Sequence, residues 1–444
     1  MVADDWERVK KMATASIESQ QSGVPERSEF LSAMRFRLVA IIVVLLLAVM
    51  GLGYVAVGAS VRSSSDSTLR TAALYAMKGK PDQAREELKW LLWFEPRHPA
   101  AVHLTAISYL KQNNLPAAME QLRVIGEDSA LHENAQSLLA SALLADQQLD
   151  QAEVVLSNHL RRYPKSVVAR RQLFGIFLTE MRSRDAIRVQ EEYLRESASD
   201  RLSQSDRLLM LRDLATSEFH PPAPQACLKT LQLALERHPE QPQVELALGR
   251  CYLRVGNTEE AIPLLRKGLA RDNHAPEPRF LSCELWIAND DPDRAELVLL
   301  NGSESPSGPA AHDTDVLEKD DRFWELRCQI AESRNDLDRA LNDIDQAAMI
   351  RPFSKDHVAR RARLLQRLQR TAEAQQAYTR SHELARAELD LWKLSLDLGT
   401  RNPTPEECEQ MALHYTSLGK NLPADCWRQL GRQVATETSP GAGR

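Results

Sequence analysis

Residues 242–275, PQVELALGRCYLRVGNTEEAIPLLRKGLARDNHA, decide the fold, because they predict two helices joined by a turn. Gly249 and Ala261 are small residues twelve positions apart. On consecutive antiparallel helices, small residues let the backbones approach closely, whereas large side chains would push the pair open. Tyr252 follows Gly249 by three residues and Leu265 follows Ala261 by four, so each pair shares one helical face. The stretch therefore predicts a tight helical hairpin.

The same spacing recurs along the chain with a period of 34 residues, interrupted by a few offsets. The small residues of the second helices are Ala84, Ala118, Ala152, Ala186, Cys227, Ala261, Ala295, Ala340, Ala374 and Ala424. Twelve residues before them stand Ala72, Ala106, Ala140, Phe174 as the exception, Ala215, Gly249, Cys283, Cys328, Ala362 and Ala412. A fixed period of this length is typical of stacked helix–turn–helix arrays. The chain is therefore predicted to build a surface from one repeated unit.

This pattern resembles the tetratricopeptide repeat (TPR) family over residues 65–438, with the best-matched units at 242–275 and 321–354. The resemblance implies an all-α fold, a right-handed TPR superhelix that is an α-solenoid of about ten helix hairpins. It also implies that proteins or peptides bind on the concave surface formed by the first helices. The units begin at 65, 99, 133, 167, 208, 242, 276, 321, 355 and 405.

Residues 36–61, FRLVAIIVVLLLAVMGLGYVAVGASV, predict a transmembrane helix before the repeats. From residue 38 onward this segment has no charged side chain, and it is long enough to cross about 30 Å of hydrocarbon. A cleavable signal peptide is the alternative, with Ala56 and Gly58 as the small residues before a cut. The polar leader of about 35 residues favours a retained anchor in the lipid bilayer.

The charges beside this segment favour a cytoplasmic N-terminus and an extracytoplasmic repeat array. Arg35 and Arg37 lie at the start of the apolar run with Arg27 nearby, while Arg62 and Arg70 follow it. The six cysteines point the other way, because unpaired thiols are typical of a reducing compartment. Three of them occupy the small-residue positions of the repeats, and none has CxxC or zinc-ligand spacing, so we expect buried thiols and no metal.

The period and its interruptions define the domain organisation. We predict a polar N-terminal tail at 1–35, the transmembrane helix at 36–61, a short tether at 62–64, TPR units one to seven at 65–300, a flexible loop at 301–320, TPR units eight and nine at 321–388, an extra C-terminal helix with a TPR-like cap at 389–438, and a disordered tail at 439–444.

The sequence favours a binding function over catalysis. It has no phosphate-binding Gly loop, HExxH, GxSxG or dinucleotide fingerprint, so we predict no enzyme and no cofactor. A net charge of −6 gives no reason to expect nucleic acid. The alternatives are a regulator or assembly factor for an envelope, secretion or membrane-complex machinery, or an enzyme framed by the repeats.

A partner groove is predicted from those first-helix positions that are not used for packing. A basic stretch followed by an acidic one could orient an extended or helical ligand, although ordinary solvated helix faces would give the same pattern. The candidate groove residues are Arg171, Arg212, Phe219, Arg250, Arg254, Glu277, Phe280, Glu284, Glu325, Gln329, Glu332, Arg363 and Arg367.

Overall fold

The computed structural model describes residues 64–196, 203–305, 315–399 and 401–438, and within these ranges the chain is helical apart from turns. The predicted tail 1–35, the membrane helix 36–61 and the tail 439–444 lie outside the described residues. Among the helices that are described, none is both long enough and apolar enough to cross a membrane.

The chain divides into two compact units at Leu104 and Thr105. The first contains α1 Ser65–Met77 and α2 Pro81–Phe94, and α3 Pro99–Lys111 crosses the boundary. The second contains α4 Leu115–Val124, α5 His132–Ala145, α6 Leu149–Arg162, α7 Val167–Thr179, α8 Ser183–Glu196, α9 Gln204–Phe219, α10 Pro224–Arg237, α11 Pro242–Val255, α12 Thr258–Arg271, α13 Pro276–Ala288, α14 Pro292–Asn301, a 3₁₀ turn Leu317–Lys319, α15 Asp321–Ser333, α16 Leu337–Ile350, α17 Lys355–Arg367, α18 Thr371–Asp397, α19 Pro405–Ser417 and α20 Asn421–Thr438.

The repeated small residues lie in the core, as the 34-residue period predicts. All ten pairs that are twelve residues apart are buried. At Gly249 an added Cβ would lie 2.8 Å from Cδ2 of Leu265, so a larger residue there would require the Leu265 side chain to shift. All six cysteines are buried as free thiols. Burial of small side chains at these positions is what allows consecutive helices to pack closely.

The turns inside the hairpins share one backbone motif. Five residues before the second-helix small residue, the chain adopts positive φ at Gly79, Asn113, Gln147, Met181, Gly256, Asp290, Asn335, Gln369 and Gly419. The next residue donates its N–H to a carbonyl five positions earlier, for example Asn257 to the carbonyl of Tyr252 at 2.9 Å. This is the Schellman ending of a helix, which satisfies carbonyls that would otherwise lack donors.

The fifth predicted unit, 208–241, departs from this motif. Its corresponding turn position is Pro222, and a proline ring fixes φ near about −65°, so positive φ is inaccessible. Helix α9 packs against α8, α18 and α20, while α10 packs against α7 and α11. The two helices of this unit therefore belong to different neighbours and do not form a TPR hairpin.

This break lets the second unit close on itself. Helix α11 packs against α6 and α10 against α7, while at the far end α20 returns to pack against α8 and α9. Residues of α9, α19 and α20 form a shared core, which we call the closing core; it includes Leu211, Leu214, Met411, Trp427 and Leu430. An open superhelix would keep these segments apart, so residues 105–438 form a closed arrangement of helical hairpins.

The C-terminal part also differs from the predicted boundaries. Helix α18 continues for 27 residues from Thr371 to Asp397, so residues 389–397 extend the second helix of the ninth unit instead of forming a separate helix. The extension carries Leu391 and Leu398 into the closing core. A capping box at Thr404 and Glu407 then starts α19, the first helix of the final hairpin.

The shared turn motif makes the stability of two turns predictable. Gln369 has φ of 60°, and left-handed backbone costs a residue with a Cβ about 1–2 kcal/mol, so Gln369→Gly should raise the free energy of unfolding by about 1 kcal/mol. Gly256→Ala should lower it by a similar amount, because φ there is 89° and nothing lies within 4 Å of an added Cβ. Urea unfolding measures both changes. Equal signs for the two variants would contradict the backbone explanation.

Candidate functional site

The thirteen predicted groove residues all lie on the helices that the sequence assigns to the first position of each unit. They are distributed over α7 (Arg171), α9 (Arg212, Phe219), α11 (Arg250, Arg254), α13 (Glu277, Phe280, Glu284), α15 (Glu325, Gln329, Glu332) and α17 (Arg363, Arg367). The structure brings many of them into ion pairs with other parts of the same chain, so their availability to a partner differs from residue to residue.

A charged row connects α11, α13 and α15. Arg250 Nη2 donates to Glu277 Oε1 at 2.7 Å, and Arg322 Nη1 donates to Glu277 Oε2 at 2.8 Å. Although burial opposes ionisation, these two guanidinium groups lower the pKa of Glu277. Arg322 also donates to Asp320. Burial alone would raise the pKa of Asp320, but the hydrogen bonds and charge of Arg322 lower it to about 2. The row therefore stays ionised at neutral pH.

The turn between α7 and α8 together with the first two residues of α8, residues 180–184, packs onto this row; we refer to this segment as the turn 180–184. Arg250 Nη1 donates to the carbonyl oxygen of Glu180 at 2.5 Å. Arg184 Nη1 donates to Asp320 Oδ1 at 2.7 Å, and its Nη2 donates to Asp321 Oδ2 at 3.0 Å. Backbone and side chains of the fourth unit thus bind the first-helix charges of units six and eight. We call the turn together with this row the inner charged network.

Glu180 is the most unusual titratable group of the network. Its side chain is fully buried, and this burial raises the pKa of its carboxyl to about 7. Arg182 Nη1 lies 2.9 Å from Glu180 Oε2 and also 2.8 Å from Glu153 Oε2. The guanidinium of Arg182 opposes the upward shift without cancelling it, while the negative charge of Glu153 adds to the shift. The turn therefore carries a carboxyl that changes ionisation near neutral pH.

Two acidic residues of α15 contact a histidine of α17. Asp321 is buried, and its Oδ2 lies 3.5 Å from His357 Nε2 and 3.4 Å from Arg351 Nη1. Glu325 Oε2 is also 3.5 Å from His357 Nε2. The hydrogen bond from His357 lowers the pKa of Glu325. Glu325 thus contacts His357 of the neighbouring helix α17. It also lines the cleft that is described below.

Two predicted groove residues are corrected by their burial. Phe280 is completely buried and packs in the core of α13 and α15, with Arg322 Cζ 4.6 Å from its ring centroid. Arg250 is only 5% exposed, and both of its donor groups are used within the chain. The helical position of both residues is as predicted, but the turn 180–184 and neighbouring helices cover them.

The predicted residues of α9 contact the C-terminal part of the chain, and the predicted residue of α7 contacts α9. Arg212 Nε donates to the carbonyl of Leu398 at 2.9 Å, and the ring of Phe219 lies 6.4 Å from that of Tyr415. Arg171 Nε donates to Asp213 Oδ2 at 3.1 Å. Arg212 and Phe219 therefore support the closure of the second unit, whereas Arg171 joins α7 to α9.

The remaining predicted residues lie nearer the surface. Arg254 is 3.7 Å from Glu284, whose pKa is raised by burial. Glu332 accepts from Arg360 at 2.6 Å and lies 3.7 Å from Arg367. Gln329 is partly buried on the same helix as Glu332.

An open cleft of about 470 Å³ lies on the faces of α15, α17 and α18. Its walls are formed by Glu325, Asp356, Ala359, Arg360, Arg363 and Tyr378. Arg363 is exposed and makes no hydrogen bond or ion pair with the described part of the chain. Two of the predicted groove residues, Glu325 and Arg363, thus meet at one cleft, which has both charge signs and an aromatic side chain.

Two smaller cavities adjoin where α9 and α10 separate. Their volumes are about 290 and 390 Å³, and both are lined by Thr216 and His220. His220 Nε2 is 3.0 Å from Ser395 Oγ of α18. Among the described residues, no group of three or more His, Cys, Asp or Glu side chains is placed to hold a metal ion.

Sequence reasoning missed the residues that fill the inner face, above all Arg184, Asp320 and Asp321. One signal was present: Arg184, two residues before Ala186, is a cation at a position where five other units have an acidic residue (Asp82, Asp150, Glu259, Asp293 and Asp338). Pro222 was a second signal, because it forbids the turn conformation that the other units use.

Two family models of the tetratricopeptide repeat match the sequence, at residues 227–276 and 253–313. These matches cover helices α11 to α14 and most of α10, and the described part of the chain is an all-α solenoid that contains tetratricopeptide repeats. No curated protein matches the sequence.

Several solved structures resemble the chain at low identity. MamA (41-end) from Desulfovibrio magneticus RS-1 is 14% identical with a TM-score of 0.31, covering 42% of this chain and 98% of that chain. A tetratricopeptide repeat protein from Parabacteroides merdae ATCC 43184 is 14% identical with a TM-score of 0.30, covering 60% and 91%. A Rap protein complexed with Competence and Sporulation Factor is 11% identical with a TM-score of 0.32, covering 74% and 99%.

Proposed function

We propose that this chain is a membrane-anchored TPR scaffold that binds a protein or peptide partner and has no catalytic activity of its own. The TPR stretch at 227–313 carries the proposal, since repeats of this kind commonly mediate protein–protein interaction. The apolar segment 36–61 supplies the anchor, and the arginines before it favour an extracytoplasmic array.

The partner site in this proposal is the cleft on α15, α17 and α18. The inner charged network satisfies its own charges, whereas Arg363 extends into the cleft without an ion pair in the described part of the chain. A guanidinium can bind a carboxylate with two parallel hydrogen bonds. Tyr378, whose hydroxyl donates to Gln366 at 2.8 Å, adds an oriented aromatic wall. The ligand class that fits is a peptide segment with an acidic side chain.

We expect Arg363→Glu to reduce capture of the partner by the detergent-solubilised full chain about tenfold. This factor corresponds to the binding free energy of about one charge-assisted hydrogen bond. Affinity capture with quantitative mass spectrometry measures the change. Arg386→Glu is the matched control, because Arg386 is 85% exposed on α18 and does not line the cleft. Equal capture by both variants would exclude this cleft as the partner site.

The membrane part of the proposal has its own test. A topology reporter fused after Arg444 should be active only outside the cytoplasm, and the chain should stay with membranes after an alkaline wash. Release by the wash would contradict the anchor, and a cytoplasmic reporter signal would contradict the orientation.

A further inference from the structure

We propose that Trp90 and Trp93 of α2 lie in the headgroup layer of the bilayer, beside the point where the chain leaves it. This inference rests on the proposed anchoring by residues 36–61. Trp90 is 62% exposed and Trp93 is 56% exposed, although tryptophan is the largest side chain that a protein can bury. Their rings form an edge-to-face pair with centroids 6.0 Å apart.

The fold of the first hairpin places this pair next to the predicted anchor. Helix α1 begins at Ser65, so the chain from Val61 to Ser65 spans at most about 14 Å when extended. Helices α1 and α2 pack together and are joined by residues 78–80, and so short a connection makes them antiparallel. The end of α2 at Phe94 therefore lies beside the start of α1.

The distance along α2 is also short. At about 1.5 Å per residue, Trp90 is about 6 Å from the end of the helix and Trp93 is about 2 Å from it. The tethered end of the hairpin cannot move farther from the membrane surface than residues 62–64 allow. The tryptophan pair is thus held close to the headgroup layer, which is roughly 5–8 Å thick on each side of the hydrocarbon.

The two tryptophans occupy the face of α2 opposite to its core. Leu88 and Leu91 are buried against α1, while Trp90 and Trp93 point away from that core. Tryptophan is enriched at membrane–water interfaces because its ring is apolar and its indole N–H is polar. Exposed Met77 lies at the turn end of the same hairpin, away from the tether, and takes no part in this surface.

Fluorescence quenching in vesicles tests the inference. The full chain carrying Trp6→Phe, which removes the N-terminal tryptophan, is reconstituted into phosphatidylcholine–phosphatidylglycerol vesicles that contain a headgroup-nitroxide lipid. Six tryptophans remain of seven. If all emit equally, about a third of the emission should be quenched, since two of the six contact the headgroup layer.

Further replacement of Trp90 and Trp93 by phenylalanine should abolish this quenching. The matched control is Trp392→Phe, because Trp392 is also exposed, at 39%, but lies on α18 with its ring 5.8 Å from that of His220. Its removal should leave the quenched emission unchanged.

The outcomes separate the two proposals. If the chain pellets with vesicles after an alkaline wash but the Trp90 and Trp93 emission is not quenched, the anchoring survives and this inference is overturned. If the wash releases the chain, both are overturned. Quenching that persists after both replacements likewise overturns the inference.

Discussion

Replacing Trp427 by alanine should lower the free energy of unfolding by about 3–5 kcal/mol, the range for a buried aromatic residue. Trp427 is 1% exposed in the closing core, where α20 meets α9. Its removal leaves a cavity between helices that are about 200 residues apart in sequence, so the neighbours cannot close it by a local shift. Hydrogen exchange should therefore show lost protection in α8, α9 and α18 as well as in α20. Urea unfolding measures the total change.

Trp286→Ala is the matched control for this prediction. Trp286 is 5% exposed within the core of α11 to α15, which is built from consecutive repeats. In a linear array each repeat contacts only its neighbours, so loss of protection should stay within that region. If Trp427→Ala destabilised α19 and α20 but left the exchange of α9 unchanged, the closure would contribute nothing to stability.

The hairpins were predictable because their cause is local. A buried small residue at a fixed position, such as Ala140 or Ala152, follows from the close approach of two adjacent helices. The small residues therefore recur in the sequence at a constant interval, which can be read without the structure. The membrane segment 36–61 remains a prediction, because it lies outside the described residues.

The closure was not predictable in the same way. Its contacts, such as Lys420 Nζ to Glu218 Oε1 at 2.8 Å and Arg207 Nη1 to Gln433 Oε1 at 3.2 Å, join residues more than 200 positions apart. Periodicity carries no information on such pairs. Pro222 and the seven-residue offset between Ala186 and Cys227 marked where the regular stacking breaks.

The candidate groove shows a related limit. Helical spacing correctly placed Arg250 and Glu277 on consecutive first helices, and the structure joins them at 2.7 Å. A guanidinium that could bind a partner carboxylate binds a carboxylate or carbonyl of its own chain equally well. The sequence therefore indicated the charges but could not show that residues 180–184 would satisfy them.

The inner charged network gives the second large expected effect. Arg250→Met keeps the length of the apolar stem but removes the donors to the Glu180 carbonyl and to Glu277. Breaking a buried ion pair from one side typically costs about 3–5 kcal/mol. Here the Glu180 carbonyl loses its donor, while Glu277 is 33% exposed and keeps Arg322, so the lower end of that range applies. We expect a loss of this size in urea unfolding, together with faster hydrogen exchange in the turn 180–184.

Arg254→Met provides the control one helical turn away. Its side chain is 56% exposed and 3.7 Å from Glu284, so the loss should be within about 1 kcal/mol. Adding Glu277→Gln to Arg250→Met should recover part of the stability, because the carboxylate left with only Arg322 is then neutral. If Arg250→Met cost no more than Arg254→Met, the turn would not depend on the network.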